Sequence, residues 1–118
     1  MSDAIASFFS AWGLTDADAR AAALGQSLSP DIHYLDPRTP EPITSLAALV
    51  DYVGMYTQYA PGATAAVVSQ STTQGHHRAT VEFHMADGTV QLGQYFIECD
   101  AEDRPARLIG FVGLGEPE

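Results

Sequence analysis

The chain has 118 residues, enough for one compact domain with a single core and too few for two. Hydrophobic residues make up 46% of the chain and charged residues 17%, a balance that excludes the charge-rich disordered class. Five arginines, no lysine and fifteen acidic residues give a formal charge of −10, which disfavours binding to nucleic acid and to anionic membranes. We therefore expect one domain over residues 1–118, with neither nucleic acid nor membrane as a partner.

The cellular compartment is predicted from what the chain lacks. No apolar run approaches the roughly 20 residues of a membrane-spanning helix, and the N-terminus has no cationic start of a secretory signal. A single cysteine, Cys99, cannot form an internal disulfide. Phe96 and Ile97 precede it, so we expect it to pack as a small hydrophobic residue. We predict a cytoplasmic protein.

Two helices are predicted at the N-terminus. Ile5, Phe8, Phe9 and Trp12 recur at the spacing of one helical face, and Gly13 ends this first helix. A second helix is expected to begin at Thr15, which with Asp18 resembles a shortened capping box, and to run to about Ser27.

A short strand, a stiff loop and a third helix follow. Residues 32–36 are branched, aromatic and apolar up to Asp36, which typifies a short strand with Asp36 at its exit. Three prolines within residues 37–42 should make the next segment rigid. Thr44 or Ser45 caps a third helix that runs to about Tyr59 and buries a stripe of four apolar side chains: Leu46, Leu49, Val50 and Val53.

Strands fill the second half of the chain, at residues 63–73, 76–85, 89–99 and 107–114. The pairs Gln74-Gly75 and Asp87-Gly88 are hairpin signals, and residues 100–105 form a longer turn. In the second of these strands Val81, Phe83 and Met85 should face one way and Glu82 and His84 the other. Helices followed by an antiparallel meander predict an α+β domain, with a cone-shaped curved sheet wrapped around the helices and a pocket inside the cone.

This order of elements, with Phe9-Ser-Ala-Trp12, Tyr34-Leu-Asp-Pro37 and the closing Ala106-Arg-Leu-Ile-Gly-Phe-Val112, resembles the SnoaL-like branch of the nuclear transport factor 2-like superfamily. The resemblance covers nearly the whole chain and implies that fold. The superfamily also contains ketosteroid isomerases and polyketide cyclases, and their base aspartate in an Asp-Pro loop is similar to Asp36. The resemblance thus implies a base role for Asp36. The isomerases also place two hydrogen-bond donors for the developing oxyanion, a tyrosine on the first helix and an acid on a late strand. This pair is not matched here, because Trp12 replaces the tyrosine and no acid lies near Tyr95.

Two interpretations of Asp36 remain open. In the functional one, the carboxylate lies on the cavity wall, where apolar neighbours make it more basic so that it takes and returns a proton. In the structural one, it accepts hydrogen bonds from backbone N–H groups of its own turn. Arg38 either serves the same site or is a solvated charge near Glu41.

The hypothesis that follows is a cofactor-free isomerase or cyclase that holds an apolar small molecule in the cone cavity, with Asp36 as acid and base. Its predicted walls and donors are aromatic residues and one methionine: Trp12, Tyr34, Tyr52, Phe83, Met85 and Tyr95. The alternative is a non-catalytic ligand-binding or dimerisation module. The four histidines form no convergent triad, so we expect no metal site. We expect a homodimer formed through the outer face of the sheet, because proteins of this fold commonly dimerise there.

Overall fold

The computed structural model describes residues 4–113 and contains three helices and five strands in one sheet. The helices are α1 (Ala4–Ala11), α2 (Ala17–Ser27) and α3 (Leu46–Tyr59). The strands are β1 (His33–Leu35), β2 (Thr64–Thr73), β3 (His76–His84), β4 (Val90–Cys99) and β5 (Pro105–Val112). The predicted α+β class is confirmed. The last predicted strand position, Leu114, lies outside the described residues.

The sheet is curved, open and mixed, with strand order β1-β5-β4-β3-β2. Strands β2 to β5 form the predicted antiparallel meander, whereas the short β1 pairs in parallel with β5. The pairing register shifts between Val67 and Ser69 and again between Glu98 and Cys99. Such irregularities bend strands and increase their twist, which helps to curl the sheet around the helices.

Local sequence signals explain where the elements begin and end. Ser45 caps α3, since its hydroxyl accepts a hydrogen bond from the N–H of Ala48. The predicted cap of α2 at Thr15 is wrong: Asp16 is the N-cap and accepts from the N–H of Ala19 at 2.8 Å. A carboxylate is favoured there because it also faces the positive end of the helix dipole. The β2–β3 hairpin turns through Gln74 and Gly75, both with positive φ.

The core lies between the helices and the concave face of the sheet. Phe8, Phe9 and Leu24 supply its helical side and are fully buried. Val81 and Ile97 supply its sheet side and are equally buried, whereas Glu82 and His84 on the outer face hydrogen-bond to one another at 2.7 Å. No helix in residues 4–113 is both long and apolar enough to cross a bilayer.

Candidate active site

A cavity of about 610 Å³ opens between the helices and the concave face of the sheet. This volume suits a small organic molecule. Its walls come from the end of α1, the loop after β1, α3 and one end of strands β3 to β5. The lining residues are mostly apolar or aromatic: Trp12, Asp36, Pro37, Arg38, Tyr52, Tyr56, Phe83, Val90, Gln91, Leu92, Gly93, Tyr95, Phe111, Val112 and Gly113. We call this cavity the cone pocket.

The loop after β1 fixes Asp36 at the wall of the cone pocket. Tyr34 and Ile43 exchange two backbone hydrogen bonds of 2.9 Å, so the proline-containing segment between them is closed at its base. Within it, Oδ1 of Asp36 accepts from the N–H groups of Arg38 at 2.8 Å and Thr39 at 3.1 Å. This is the turn-capping role that the sequence allowed for Asp36.

The second carboxylate oxygen of Asp36 faces tyrosines instead of backbone. Its Oδ2 accepts hydrogen bonds from the hydroxyls of Tyr34 at 2.7 Å and Tyr52 at 2.6 Å. Tyr34 and Tyr95 are joined at 2.9 Å through their hydroxyl oxygens. A phenol has one proton and Tyr34 gives its proton to Asp36, so Tyr95 must donate to Tyr34. The protons of all three tyrosines are therefore directed toward Asp36.

Burial and the neighbouring charge keep these tyrosines protonated. Burial raises the pKa of Tyr34 well above its usual value, and Tyr95 and Asp36 add to the shift. Burial likewise raises the pKa of Tyr95 and of Tyr52, and for Tyr52 the hydrogen bond to Asp36 is the next largest cause. The three phenols are thus neutral donors throughout the physiological pH range.

The indole of Trp12 lines the cone pocket and carries a different kind of donor. Trp12 is only 2% exposed and packs edge-on against Tyr56, with ring centroids 5.2 Å apart, and against Phe83 at 5.9 Å. Its Nε1 is buried and has no hydrogen-bond partner among the residues that the structure describes. A buried N–H without a partner costs about 1–3 kcal/mol, so a ligand or water oxygen at this position would be favoured.

A glycine in β5 creates the room that the tyrosine chain needs. A Cβ at Gly110 would lie 2.7 Å from Cε2 of Tyr95 and 3.2 Å from Cβ of Asp36. Both neighbours are parts of the hydrogen-bonded site, and the Tyr95 ring is almost fully buried. Gly110 therefore positions Tyr95 and Asp36 side by side. The sequence analysis did not single it out, because only the pairing of β4 with β5 reveals the contact.

The predicted site residues fall into two groups. Asp36, Trp12, Tyr52, Phe83 and Tyr95 line the cone pocket. Tyr34 is fully buried behind the wall and reaches the site only through its hydroxyl.

Met85 is not among the lining residues, because β3 ends before it. Its sulfur instead accepts a 3.9 Å hydrogen bond from the hydroxyl of Tyr56. Tyr56 lines the pocket, whereas Tyr59, later in the same helix, is 89% exposed.

Three polar or aromatic lining residues were not predicted as parts of the site, namely Tyr56, Gln91 and Phe111, and for Arg38 the sequence left both alternatives open. Tyr56 lies one helical turn after Tyr52, so the i, i+4 spacing of the two tyrosines was a signal for it. Gln91 pairs with Phe83 across β3 and β4, which only the strand register shows. Arg38 lines the pocket from an exposed position and lowers the pKa of Tyr52 and Tyr56 slightly against the dominant effect of burial.

Comparison with known proteins identifies the fold. No protein-family model matches the sequence, and no curated protein matches it significantly. Among solved structures, a candidate isomerase of the SnoaL-like family from Agrobacterium tumefaciens matches with a TM-score of 0.84 at 18% identity, over 94% of this chain and 95% of that chain. A protein with a ketosteroid isomerase-like fold from Catenulispora acidiphila gives 0.77 at 11% identity, over 97% and 88% of the two chains.

A candidate polyketide cyclase from Sinorhizobium meliloti is also similar, with a TM-score of 0.73 at 17% identity over 93% of this chain and 94% of that one. Identities this low establish a common fold and leave the reaction open. The resemblance expected from the sequence is confirmed at that level: this chain has the fold of the SnoaL-like and nuclear transport factor 2-like proteins.

Proposed function

We propose that this protein binds a small, uncharged and mostly apolar carbonyl compound in the cone pocket and that Asp36 moves a proton on it. The observation that carries the proposal is the placement of one carboxylate at the wall of an aromatic pocket that is also lined by Trp12, whose buried N–H has no partner among the described residues. The candidate isomerases and cyclases with this fold make the same class of reaction a reasonable expectation.

The walls of the pocket provide the binding energy. Apolar burial contributes about 25 cal/mol per Å² removed from water, so a ligand that covers the rings of Trp12, Tyr56 and Phe83 gains several kcal/mol. A ligand anion would be disfavoured because Asp36 lies at the wall and the chain carries a formal charge of −10. These two features together favour a mostly apolar organic molecule without negative charge.

The hydrogen bonds around Asp36 indicate where a proton would be received. The carboxylate accepts four hydrogen bonds, which occupy its lone pairs. Tyr34 is fully buried, but Tyr52 is half-buried and lines the pocket. Tyr52 is therefore the donor that can turn away, and its departure would free Oδ2 to take a proton from a carbon atom of the ligand.

The Trp12 N–H completes the reaction scheme. When Asp36 takes a proton from the carbon next to a carbonyl group, negative charge develops on the carbonyl oxygen. Trp12, whose N–H has no partner among the described residues, is one donor for that oxygen, and the hydroxyl of Tyr52 is a second once it has turned away from Asp36. For a β,γ-unsaturated ketone, return of the proton from Asp36 to the γ carbon of the dienolate would move the double bond into conjugation with the carbonyl group and complete an isomerisation.

A second function, non-catalytic ligand binding, is favoured by one observation. The four hydrogen bonds to Asp36 also describe a carboxylate that anchors its own loop to α3 and β1. In that case the pocket would bind the same class of ligand without turnover. The two functions differ only in what Asp36 does after the ligand arrives.

A screen followed by isotope exchange tests the proposal. Trp12 is the single tryptophan of the chain, so its fluorescence reports directly on the cone pocket. Small ketones, enones and polycyclic aromatic compounds should be screened by this signal. Binders with a carbonyl group should then be followed by NMR in D₂O for exchange of the hydrogen next to that group.

The substitution Asp36→Asn should lower the exchange rate at least about 100-fold and leave ligand affinity nearly unchanged. Asp51→Asn, an exposed position of α3, is the matched control and should change neither quantity. Binding without exchange in the unmodified protein would favour the non-catalytic alternative. Failure of every uncharged compound to bind would contradict both functions.

The Trp12 contact has its own test. Trp12→Phe keeps an aromatic wall and removes the N–H, so affinity for a ketone should fall about tenfold, the equivalent of one hydrogen bond. Affinity for a hydrocarbon of the same shape should not change by that factor, as calorimetry can show. Equal losses for both ligands would mean that Trp12 contributes packing alone.

A further inference from the structure

A second cluster of reactive side chains lies at the other end of the sheet from the cone pocket. His77 is near the start of β3, Cys99 ends β4, and Asp103 belongs to the turn between β4 and β5. His77 is paired with Ile97, whose side chain lies on the concave face, and Cys99 is two residues further along the same strand. The alternation of strand side chains therefore places His77 and Cys99 on one face.

The turn brings Asp103 to this pair. Residues 100–104 close the connection through the N–H of Asp100, which donates to the carbonyl of Arg104 at 2.8 Å, and Asp103 adopts a positive φ of 64°. One ring nitrogen of His77, the sulfur of Cys99 and a carboxylate oxygen of Asp103 all lie within 4.8 Å of one another. A tetrahedral metal with bonds of about 2.0–2.3 Å needs its ligand atoms about 3.3–3.8 Å apart, so closing the site takes shifts of about 1 Å.

We propose that His77, Cys99 and Asp103 form a three-ligand site for a zinc-class divalent cation. Imidazole nitrogen, thiolate sulfur and carboxylate oxygen are the three donor types by which proteins bind zinc. Magnesium and calcium prefer sites made of oxygen alone, so the cysteine and histidine select against them. Asp103 is exposed, which gives the cation a path from solvent and leaves its fourth position to water.

Neighbouring groups favour this assignment. Nδ1 of His77 is 2.9 Å from the hydroxyl of Thr72, a contact that helps to orient the ring. Asp103 and Asp100 place negative charge beside the thiol of Cys99. The same negative charge attracts a cation, and the cation in turn stabilises the thiolate.

The test uses cobalt(II) as a spectroscopic stand-in for zinc. The full chain, without a polyhistidine tag, is treated with a chelator, kept reduced with a phosphine and titrated with cobalt(II) at neutral pH. The expected result is one equivalent bound, with a thiolate-to-cobalt charge-transfer band in the near ultraviolet and tetrahedral ligand-field bands in the visible. Zinc(II) should displace the cobalt and remove both signals.

Three variants make the assignment specific. Cys99→Ser should abolish the charge-transfer band, and His77→Ala should weaken binding at least about tenfold, since even outer contacts change metal affinity by about 10–100-fold. The matched control is His76→Ala, because His76 is next in sequence but pairs with Glu98 at 2.8 Å. Circular dichroism shows whether each variant folds.

The proposal is overturned if cobalt(II) gives no charge-transfer band with the folded protein, or if His76→Ala weakens binding as much as His77→Ala does. Because the cluster is remote from the cone pocket, either outcome is independent of the function proposed there. Asp103→Asn provides a last check. Loss of the carboxylate should weaken zinc binding measured by calorimetry, whereas the thiolate-to-cobalt charge-transfer band should still be present when the variant is saturated with cobalt(II).

Discussion

The hydroxyl of Tyr52 donates a 2.6 Å hydrogen bond to Oδ2 of Asp36, and this contact joins the middle of α3 to the loop after β1. Tyr34 donates to the same oxygen from inside the core. One carboxylate therefore links a helix, a strand end and, through Tyr95, the centre of the sheet. Substituting the two donors one at a time therefore distinguishes the stability contribution of the buried Tyr34 from that of Tyr52 at the pocket wall.

Tyr34→Phe should destabilise the fold more than Tyr52→Phe does. Tyr34 is fully buried, and its loss leaves the Tyr95 hydroxyl without its acceptor, so we expect the free energy of unfolding to fall by about 2–3 kcal/mol. Tyr52 is half-buried and water can replace its hydroxyl, so about 1 kcal/mol is expected. Urea unfolding measures both values. Tyr59→Phe, at an 89% exposed position of the same helix, should change nothing, and a reversed order of the first two would contradict this network.

Alkaline pH should destabilise the protein through the buried tyrosines. The folded-state pKa values of Tyr34 and Tyr95 are raised above the usual value near 10, chiefly by burial. Above about pH 10 the unfolded chain loses these phenol protons while the folded chain keeps them. The free energy of unfolding should therefore be unaffected by these groups below that pH and fall above it, by up to about 3 kcal/mol per pH unit for two groups.

Urea unfolding at a series of pH values between 8 and about 11 checks this dependence, with tyrosinate absorbance recorded in parallel. The Tyr34→Phe variant should show a shallower slope than the unmodified protein, because one of the shifted groups is gone. Equal slopes would mean that Tyr34 titrates normally in the folded state.

The elements of the fold follow from local patterns and were largely predictable. The alternation of Val81 and Phe83 with Glu82 and His84 gave the correct faces of β3, because a strand places successive side chains on opposite sides. The cap of α3 was narrowed by sequence to Thr44 or Ser45, and the structure shows that it is Ser45. The cap of α2 was assigned to Thr15 instead of Asp16, since adjacent residues of similar capping propensity are not distinguished by sequence.

Most residues of the candidate site could be predicted from the sequence, whereas their positions relative to one another could not. Asp36 was predicted to be either a base on the cavity wall or a turn cap; Oδ1 caps the turn and Oδ2 accepts from tyrosines, while the role of the carboxylate as a base stays a prediction. The bond between Tyr34 and Tyr95 spans 61 residues of sequence and depends on the pairing of strands β1, β5 and β4. The cluster of His77, Cys99 and Asp103 escaped notice for a similar reason, because it requires the β3–β4 register and the left-handed conformation of Asp103.

The homodimer expected from the sequence remains a proposal, and the outer face of the sheet supplies its test. Phe96 is 37% exposed on that face, with the ring of His76 stacked on it at 5.7 Å. If two copies associate there, Phe96→Glu should convert the dimer to a monomer by placing charge in an apolar contact. Sedimentation velocity measures the change, with Tyr59→Glu on the helical side as control. A dimer that survives Phe96→Glu would place the interface elsewhere.

Gly110→Ala should disrupt the candidate active site without a change in chemical character. The added methyl group would lie 2.7 Å from the Tyr95 ring and 3.2 Å from Cβ of Asp36, distances at which one of the two must move. The centroid of the Tyr95 ring lies 4.8 Å from that of Phe9, so the ring cannot move without disturbing this contact, and we expect a loss of about 1–3 kcal/mol in stability.

Gly25→Ala in α2 is the matched control, because its added methyl meets Leu46 at an ordinary 3.6 Å and alanine favours the helix. Ligand affinity measured by calorimetry should fall for Gly110→Ala and stay constant for Gly25→Ala, and equal affinities would show that Tyr95 and Asp36 tolerate displacement.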